Sequence, residues 1–268
     1  MQEEGAPLTV EQAISNLQQT EDPSLRYYAA WWLGKFRVKE QAAIEALLEA
    51  LKDETHRSPD GGYPLQRNAA KALGKLENLQ AVPPLINCLS SPDYYVRESA
   101  AQALEMLGDS RAIPHLLKLL EGGLENAVYV EGKPHLRQPV EAIIEALGTL
   151  KATESIEEIK PFLNHEIPKI RYAASRALYQ LTQNPLYGEQ LIRGLEVEDL
   201  QLRRSVLMDL GAIGYFPAAS AIANTLAENS LKLISLKGLL EAELKKNTPQ
   251  EKLSPESIKI LDLMDSLL

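Results

Sequence analysis

One recurring pattern constrains the fold of this chain more than its composition does. The segments "LRYYAAWWLGKF", "LQRNAAKALGKL", "VRESAAQALEML", "VEAIIEALGTL", "IRYAASRALYQL" and "LRRSVLMDLGAI" share a compact apolar middle, usually alanine-rich, and a late leucine. Aligned on that leucine, they bring Leu33, Leu73, Leu104, Leu147, Leu178 and Leu210 into register, with gaps of 40, 31, 43, 31 and 32 residues. The unit is therefore about 31 residues long with two insertions, a period typical of helical repeats. A second apolar run follows each copy, as in "AVPPLINCL", "AIPHLLKLL" and "SIEEIKPFL", with its apolar residues at helical spacing. Each repeat is a pair of short helices, which buries its apolar face only by stacking on its neighbours.

These features predict an all-α fold: a right-handed α-solenoid of about six short HEAT-like two-helix repeats plus terminal capping helices, as a single domain over residues 1–268. Thr9 opens "TVEQ", a capping box leading into a helix to about Gln18. Asp-Pro and Pro-Asp pairs in "EDPSLR" and "SPDYYVR" start the alanine-rich helices. The pattern weakens through "ENSLKLISLKGLLEAEL" and ends in "PESIKILDLMDSLL", two segments read as a C-terminal cap over about 228–268. Alanine pairs such as Ala29/Ala30, Ala69/Ala70 and Ala100/Ala101 allow close helix approach. Gly34, Gly74, Gly108 and Gly148 are expected near helix ends, where chain reversals tolerate glycine best. An arginine seven residues before the late leucine recurs at Arg26, Arg97, Arg171 and Arg203, with Gln66 and Val140 in the two interrupted copies. Its expected role is to join neighbouring repeats.

Charge and motif content exclude several function classes. A net charge of −9 is the wrong sign for a surface that neutralises phosphates, so nucleic acid is not expected as a partner. Four histidines and the single Cys88 form no metal-ligand spacing, so no metal site is expected. Cys88 lies in the apolar "PPLINCL" and reads as a small buried hydrophobe. No phosphate loop and no G-x-S-x-G elbow occurs. The first residues, "MQEEGAPLTVEQ", do not resemble a secretory signal, and no apolar run reaches the ~20 residues of a membrane span. A soluble, intracellular protein is expected.

In a repeat protein, function is sought where the repeat departs from itself. Where the second copy has Arg67, Asn68, Lys71 and Ala72, the first has Tyr27, Tyr28, Trp31 and Trp32. Trp32 replaces an alanine and is assigned to packing, whereas Tyr27, Tyr28 and Trp31 replace polar residues and are expected to face solvent or a partner. Tyr27 and Trp31, four apart, are expected to form an aromatic platform. The insertion "DETHRSPDGGYP", 53–64, carries His56, Arg57, Asp60 and Tyr63. A second, "EGGLENAVYVEGKPHLRQ", 121–138, carries Tyr129, Lys133, His135 and Arg137. Both leave between equivalent helices and should emerge on one edge of the repeat array. Long loops of this kind more often carry function than idle.

"PSLRYYAAWWLGKFRV", "GGYPLQRNAAKALGKL" and "YYVRESAAQALEMLGD" resemble the E/F-type phycobilin lyases of cyanobacteria and red algae over essentially the whole chain. The similar di-iron HEAT-like hydroxylases carry several His-Glu pairs, but only His165-Glu166 occurs here. The resemblance implies a heterodimer with a homologous beta subunit. It implies binding of phycocyanobilin as a transferred substrate, with no permanently bound cofactor. The bilin would be attached by a thioether at its ring A ethylidene to a cysteine of the phycocyanin alpha chain, in the cytoplasm during phycobilisome assembly. A related lyase shifts a double bond during transfer, and a noncatalytic HEAT-like scaffold remains the alternative outside lyase chemistry. A bilin is flat and carries two propionates, so it needs aromatic faces and basic donors. Tyr27, Tyr28, Trp31, Lys35, Arg57, Tyr63, Arg67 and Lys71 supply that set as bilin or partner-subunit contacts, with His56 or Asp60 as the candidate proton donor.

Overall fold

The computed structural model describes residues 8–246 and 252–268; the first seven residues of the chain, and the part of the C-terminal cap between 247 and 251, lie outside them. Two compact units divide after Leu150. The first contains α1 (Val10–Gln18), α2 (Pro23–Lys35), α3 (Gln41–Ala50), α4 (Pro64–Leu76), α5 (Val82–Cys88), α6 (Tyr94–Leu107), α7 (Ile113–Leu120) and α8 (Val140–Thr149). The second contains α9 (Ile156–Ile159), α10 (Pro168–Thr182), α11 (Pro185–Arg193), α12 (Leu200–Ile213), α13 (Ala219–Asn224), α14 (Asn229–Lys246) and α15 (Pro255–Asp265). The alanine-rich copies are α2, α4, α6, α8, α10 and α12, and the expected helix pairs are all present.

Local chemistry explains the helix starts. Thr9 and Gln12 form the reciprocal capping box, and Asp22, Asp93 and Asp199 accept first-turn amides through their carboxylates. Within the first unit α2 packs on α4, α4 on α6 and α6 on α8, with Ala29, Ala30, Leu33, Ala69, Ala70, Leu73, Ala100, Ala101 and Leu104 fully enclosed. Gly34 and Gly74 lie near the C-terminal ends of α2 and α4, as expected, but not in a chain reversal. Both are helical and buried, and a Cβ on Gly34 would stand 2.7 Å from the Ala72 Cα. What these positions need is space for a neighbouring backbone, not a turn. Gly108 does end α6 in the left-handed region, at φ 68°.

The recurring arginine joins repeats, as expected. The Arg97, Arg171 and Arg203 guanidiniums donate to the carbonyls of Ser91, His165 and Val197 at 2.8, 2.7 and 2.7 Å. Arg97 also donates to the Arg137 carbonyl (2.9 Å) and Gln138 Oε1 (3.0 Å), while Arg203 reaches the Leu226 carbonyl (2.9 Å). Arg26 donates to the Leu17 carbonyl and pairs with Asp53 at 2.7 Å. At the far end α14, although its sequence pattern is weak, stacks on α12 like another rung. A Cβ on Gly238 would meet the Gly211 carbonyl at 2.5 Å, so the two backbones are in contact there. α15 packs against α13 and α14 and closes this unit.

Candidate functional site

The two insertions meet. Arg57 and residues 60–63 of the first and Val130 and residues 132–135 of the second line one cleft of about 470 Å³ in the first unit, together with Arg67 and the N-terminus of α6. The second insertion folds as a short hairpin around a Tyr129–Leu136 bridge, with Val130 N–H donating to the His135 carbonyl at 3.1 Å. Arg97 pins its base through the Arg137 carbonyl.

Aromatic faces and basic groups alternate around the cleft. His135 stacks on Tyr94, with ring centroids 4.5 Å apart and planes 13° from parallel, and meets Tyr95 edge-on at 5.8 Å. The Arg57 guanidinium lies 4.7 Å from the Tyr63 ring centre, and Arg67 lies 4.5 Å from that of Tyr95. Asp93, almost fully enclosed, ties the floor together. Its Oδ2 accepts from Tyr63 N–H and Arg67 Nε, both at 2.8 Å, and pairs with the outer Arg67 nitrogen at 2.7 Å. Its Oδ1 accepts the Tyr95 amide at 2.8 Å, capping α6. Arg67 is thus neutralised locally, whereas Arg57 and Lys133 have no carboxylate within ion-pair distance among the described residues. Burial, with the nearby Glu98 and Glu141 charges, pushes the Tyr94 phenol well above its ordinary range, so it stays protonated. Hydrogen bonds from the Ser58 hydroxyl and from its own amide hold the Asp60 carboxyl below the usual carboxylate range. Asp60 is therefore an anion at neutral pH and an acceptor for N–H groups; to donate a proton it must first gain one.

Of the residues predicted from sequence, Arg57, Asp60, Tyr63 and Arg67 line this cleft, whereas Tyr27, Tyr28, Trp31, Lys35, His56 and Lys71 do not. Tyr63 is buried, with its ring serving as the cleft wall. His56 Nδ1 lies 3.4 Å from the Arg26 guanidinium and 3.0 Å from Thr55 Oγ1, beside the Arg26–Asp53 pair. The aromatic platform exists with different members. Tyr28 and Trp31, 50% and 47% exposed, have ring centroids 5.5 Å apart, while Tyr27 is half-buried and its carbonyl accepts from Asn68. The outward pair is therefore three residues apart, not four. Trp32 is half-buried and packs on Phe36, with centroids 4.8 Å apart. Lys35 and Lys71 are exposed. Sequence reasoning did not assign Asp93, Tyr94, Tyr95 or His135 to the site; the available signal was the doubled tyrosine that opens the third copy. Cys88 is half-buried and not, as expected, enclosed, and burial pushes its thiol up to about 11. Among the described residues no cluster of three potential metal ligands occurs, and no helix is long and apolar enough to cross a membrane.

Stacked helix pairs with this pattern define an α-solenoid of the HEAT-like class. Residues 55–126 match the family model of HEAT repeats, and residues 25–53 match that of the PBS lyase HEAT-like repeat. The chain is 67% identical to the phycocyanobilin lyase subunit alpha of a Picosynechococcus species, over 97% of this chain and 96% of that one. It belongs to the family of phycocyanobilin lyase alpha subunits. In the solved complex of CpcE and CpcF of phycocyanin lyase from Nostoc sp. PCC7120, a chain 60% identical superposes with a TM-score of 0.92, covering 100% of this chain and 98% of that one. The bilin biosynthesis protein PecE of Nostoc sp. is more distant, at 44% identity over 90% of each chain.

Proposed function

We propose that this chain acts as the alpha subunit of a phycocyanobilin lyase. Paired with a homologous beta subunit, it binds phycocyanobilin and attaches it by a thioether to a cysteine of the phycocyanin alpha chain, in the cytoplasm during phycobilisome assembly. The bilin is a transferred substrate and not a resident cofactor. One observation carries the reading at the level of geometry. The cleft between the two insertions offers aromatic walls, two basic side chains that have no acidic partner among the described residues, and one ionised carboxylate. Those are the complements of a flat tetrapyrrole with two propionates and a row of pyrrole N–H groups. Arg57 and Lys133 take the propionates, Asp60 accepts pyrrole N–H, and Tyr63, Tyr94 and Tyr95 provide apolar contact. The attacking thiol belongs to the acceptor protein, and the lyase lowers the barrier by fixing the bilin in a reactive conformation.

Tyr28 and Trp31 stand apart from the cleft and are assigned to a protein contact with the beta subunit. Exposed tyrosine and tryptophan are the residue types that anchor such interfaces.

The test mixes the purified chain, alone and with its beta subunit, with phycocyanobilin, reading absorbance and tryptophan fluorescence. Acceptor chain is then added and covalent product scored after denaturation. A shifted bilin spectrum and a thioether adduct are expected, and the product spectrum separates plain transfer from transfer with a double-bond shift. Absence of any spectral change and of adduct in both samples would overturn the reading and leave the scaffold alternative.

A further inference from the structure

Thioether formation needs a proton to move between two sites on the reacting partners. The acceptor sulfur bonds to the outer carbon of the bilin ethylidene, the S–H bond breaks, and the exocyclic π bond breaks. The proton is left on the adjacent ring carbon, with no net oxidation or reduction. The two ends of this transfer are neighbouring atoms, so a single basic side chain beside them can accept the proton from sulfur and return it to carbon.

The cleft contains one side chain held for such a task. His135 Nδ1 lies 2.8 Å from the Leu136 carbonyl oxygen, which can only accept, so Nδ1 carries hydrogen. The neutral ring therefore keeps its lone pair at Nε2, and no protein group among the described residues bonds that atom. Orientation is fixed three times over. The ring lies flat on Tyr94, its backbone carbonyl accepts from Val130, and the hairpin base is held by Arg97. Of the other cleft groups, Tyr94 holds its proton and so offers no base, and one Asp60 oxygen is already engaged by the Ser58 hydroxyl.

We propose that His135 is the proton carrier of the lyase step, accepting the thiol proton at Nε2 and delivering it to the bilin ring carbon. This assignment rests on the bilin-lyase reading of the cleft. It moves the acid–base role from the first insertion, where sequence placed it on His56 or Asp60, to the second.

Two variants of the alpha–beta complex test it, with phycocyanobilin and the acceptor chain supplied. His135→Asn keeps a donor where Nδ1 stands but has nothing at Nε2. Its bilin absorbance titration should stay within about threefold of wild type, while thioether formation slows by about 100-fold or to the uncatalysed rate, whichever comes first. His135→Ala opens a hole; its rate should recover with added imidazole but not with pyrazole, a ring of the same size and far weaker basicity. An H135N rate within threefold of wild type, loss of bilin binding in H135N, or equal rescue by pyrazole would each overturn the proton role. Failure of the wild-type complex to form any thioether would instead overturn the lyase reading beneath it.

Discussion

Asp93 is the residue through which the first insertion, the α4 arginine and the α6 N-terminus are joined, and replacing it with asparagine isolates that function. The amide oxygen can still accept from Tyr95 N–H. The amide nitrogen, however, takes the place of Oδ2 and confronts three N–H donors, from the Tyr63 amide and from Arg67 at 2.7–2.8 Å. Removing one partner of a buried ion pair costs about 3–5 kcal/mol. Because the Arg67 side chain keeps 22% exposure and recovers some hydration, we place Asp93→Asn near the lower bound, at about 3 kcal/mol. Trp31 and Trp32 both lie in the first compact unit, so tryptophan fluorescence during urea unfolding reports on the unit that holds the mutation. With a slope of about 2 kcal/mol per molar urea, the midpoint should fall by about 1.5 M. The partner substitution Arg67→Met removes the other charge, and the double variant should be more stable than the sum of the two losses by about 2 kcal/mol. Losses that add to within about 0.5 kcal/mol, or an Asp93→Asn loss below 1 kcal/mol, would refute the coupling.

Three further outcomes are expected. Gly34→Ala places a Cβ 2.7 Å from the Ala72 Cα, so the α2–α4 pair must part; a loss of about 1–3 kcal/mol is expected by the same urea titration. Burial of Asp53 works to raise its pKa, but hydrogen bonds from Arg26 and Thr55 outweigh it and set the net value below the ordinary one. That stabilisation is present above the unfolded aspartate pKa of about 3.9 and is lost as pH falls through the folded value, so Asp53→Asn should flatten the acid limb of a stability–pH curve below about pH 4. Trp31→Ala should weaken beta-subunit association at least tenfold by analytical ultracentrifugation or calorimetry while leaving urea stability within about 0.5 kcal/mol of wild type, since the ring is half in solvent.

The parts of the fold legible in sequence were those carried by period or by local chemistry. The late leucines, the arginine ladder and the Thr9 box all repeat a pattern or act within a few residues, and each was found where the pattern put it. The glycines fell near helix ends where the pattern put them but for a different reason, since only the position of Ala72 on the next rung reveals that Gly34 serves a close approach and not a turn. Tyr27 and Tyr28 are adjacent, and it is the packing of α2 on its neighbours, not the local sequence, that leaves Tyr28 the more exposed of the two. Of the residues lining the cleft, Arg57, Asp60 and Tyr63 stood out in sequence because the 53–64 insertion breaks the period, and Arg67 follows it on α4. Tyr94 and His135 were quoted without being joined, since their stacking spans two different irregularities and leaves no local signature.

The arginine ladder also works as a length gauge. At Arg97, Arg171 and Arg203 the guanidinium closes onto a carbonyl six positions earlier, so the linker between is measured and admits no added residue. The two copies without arginine are Gln66 and Val140, and these are the copies that follow the insertions at 53–64 and 121–138. Gln66 reaches back to the Asp53 carbonyl at 3.0 Å, over the entire first loop. Length variation is thereby confined to two gates, and both open onto the same cleft. Grafted or trimmed residues should be accepted at those gates and rejected at the gauged linkers, which gives the scaffold a place to change what it holds without changing how it stacks.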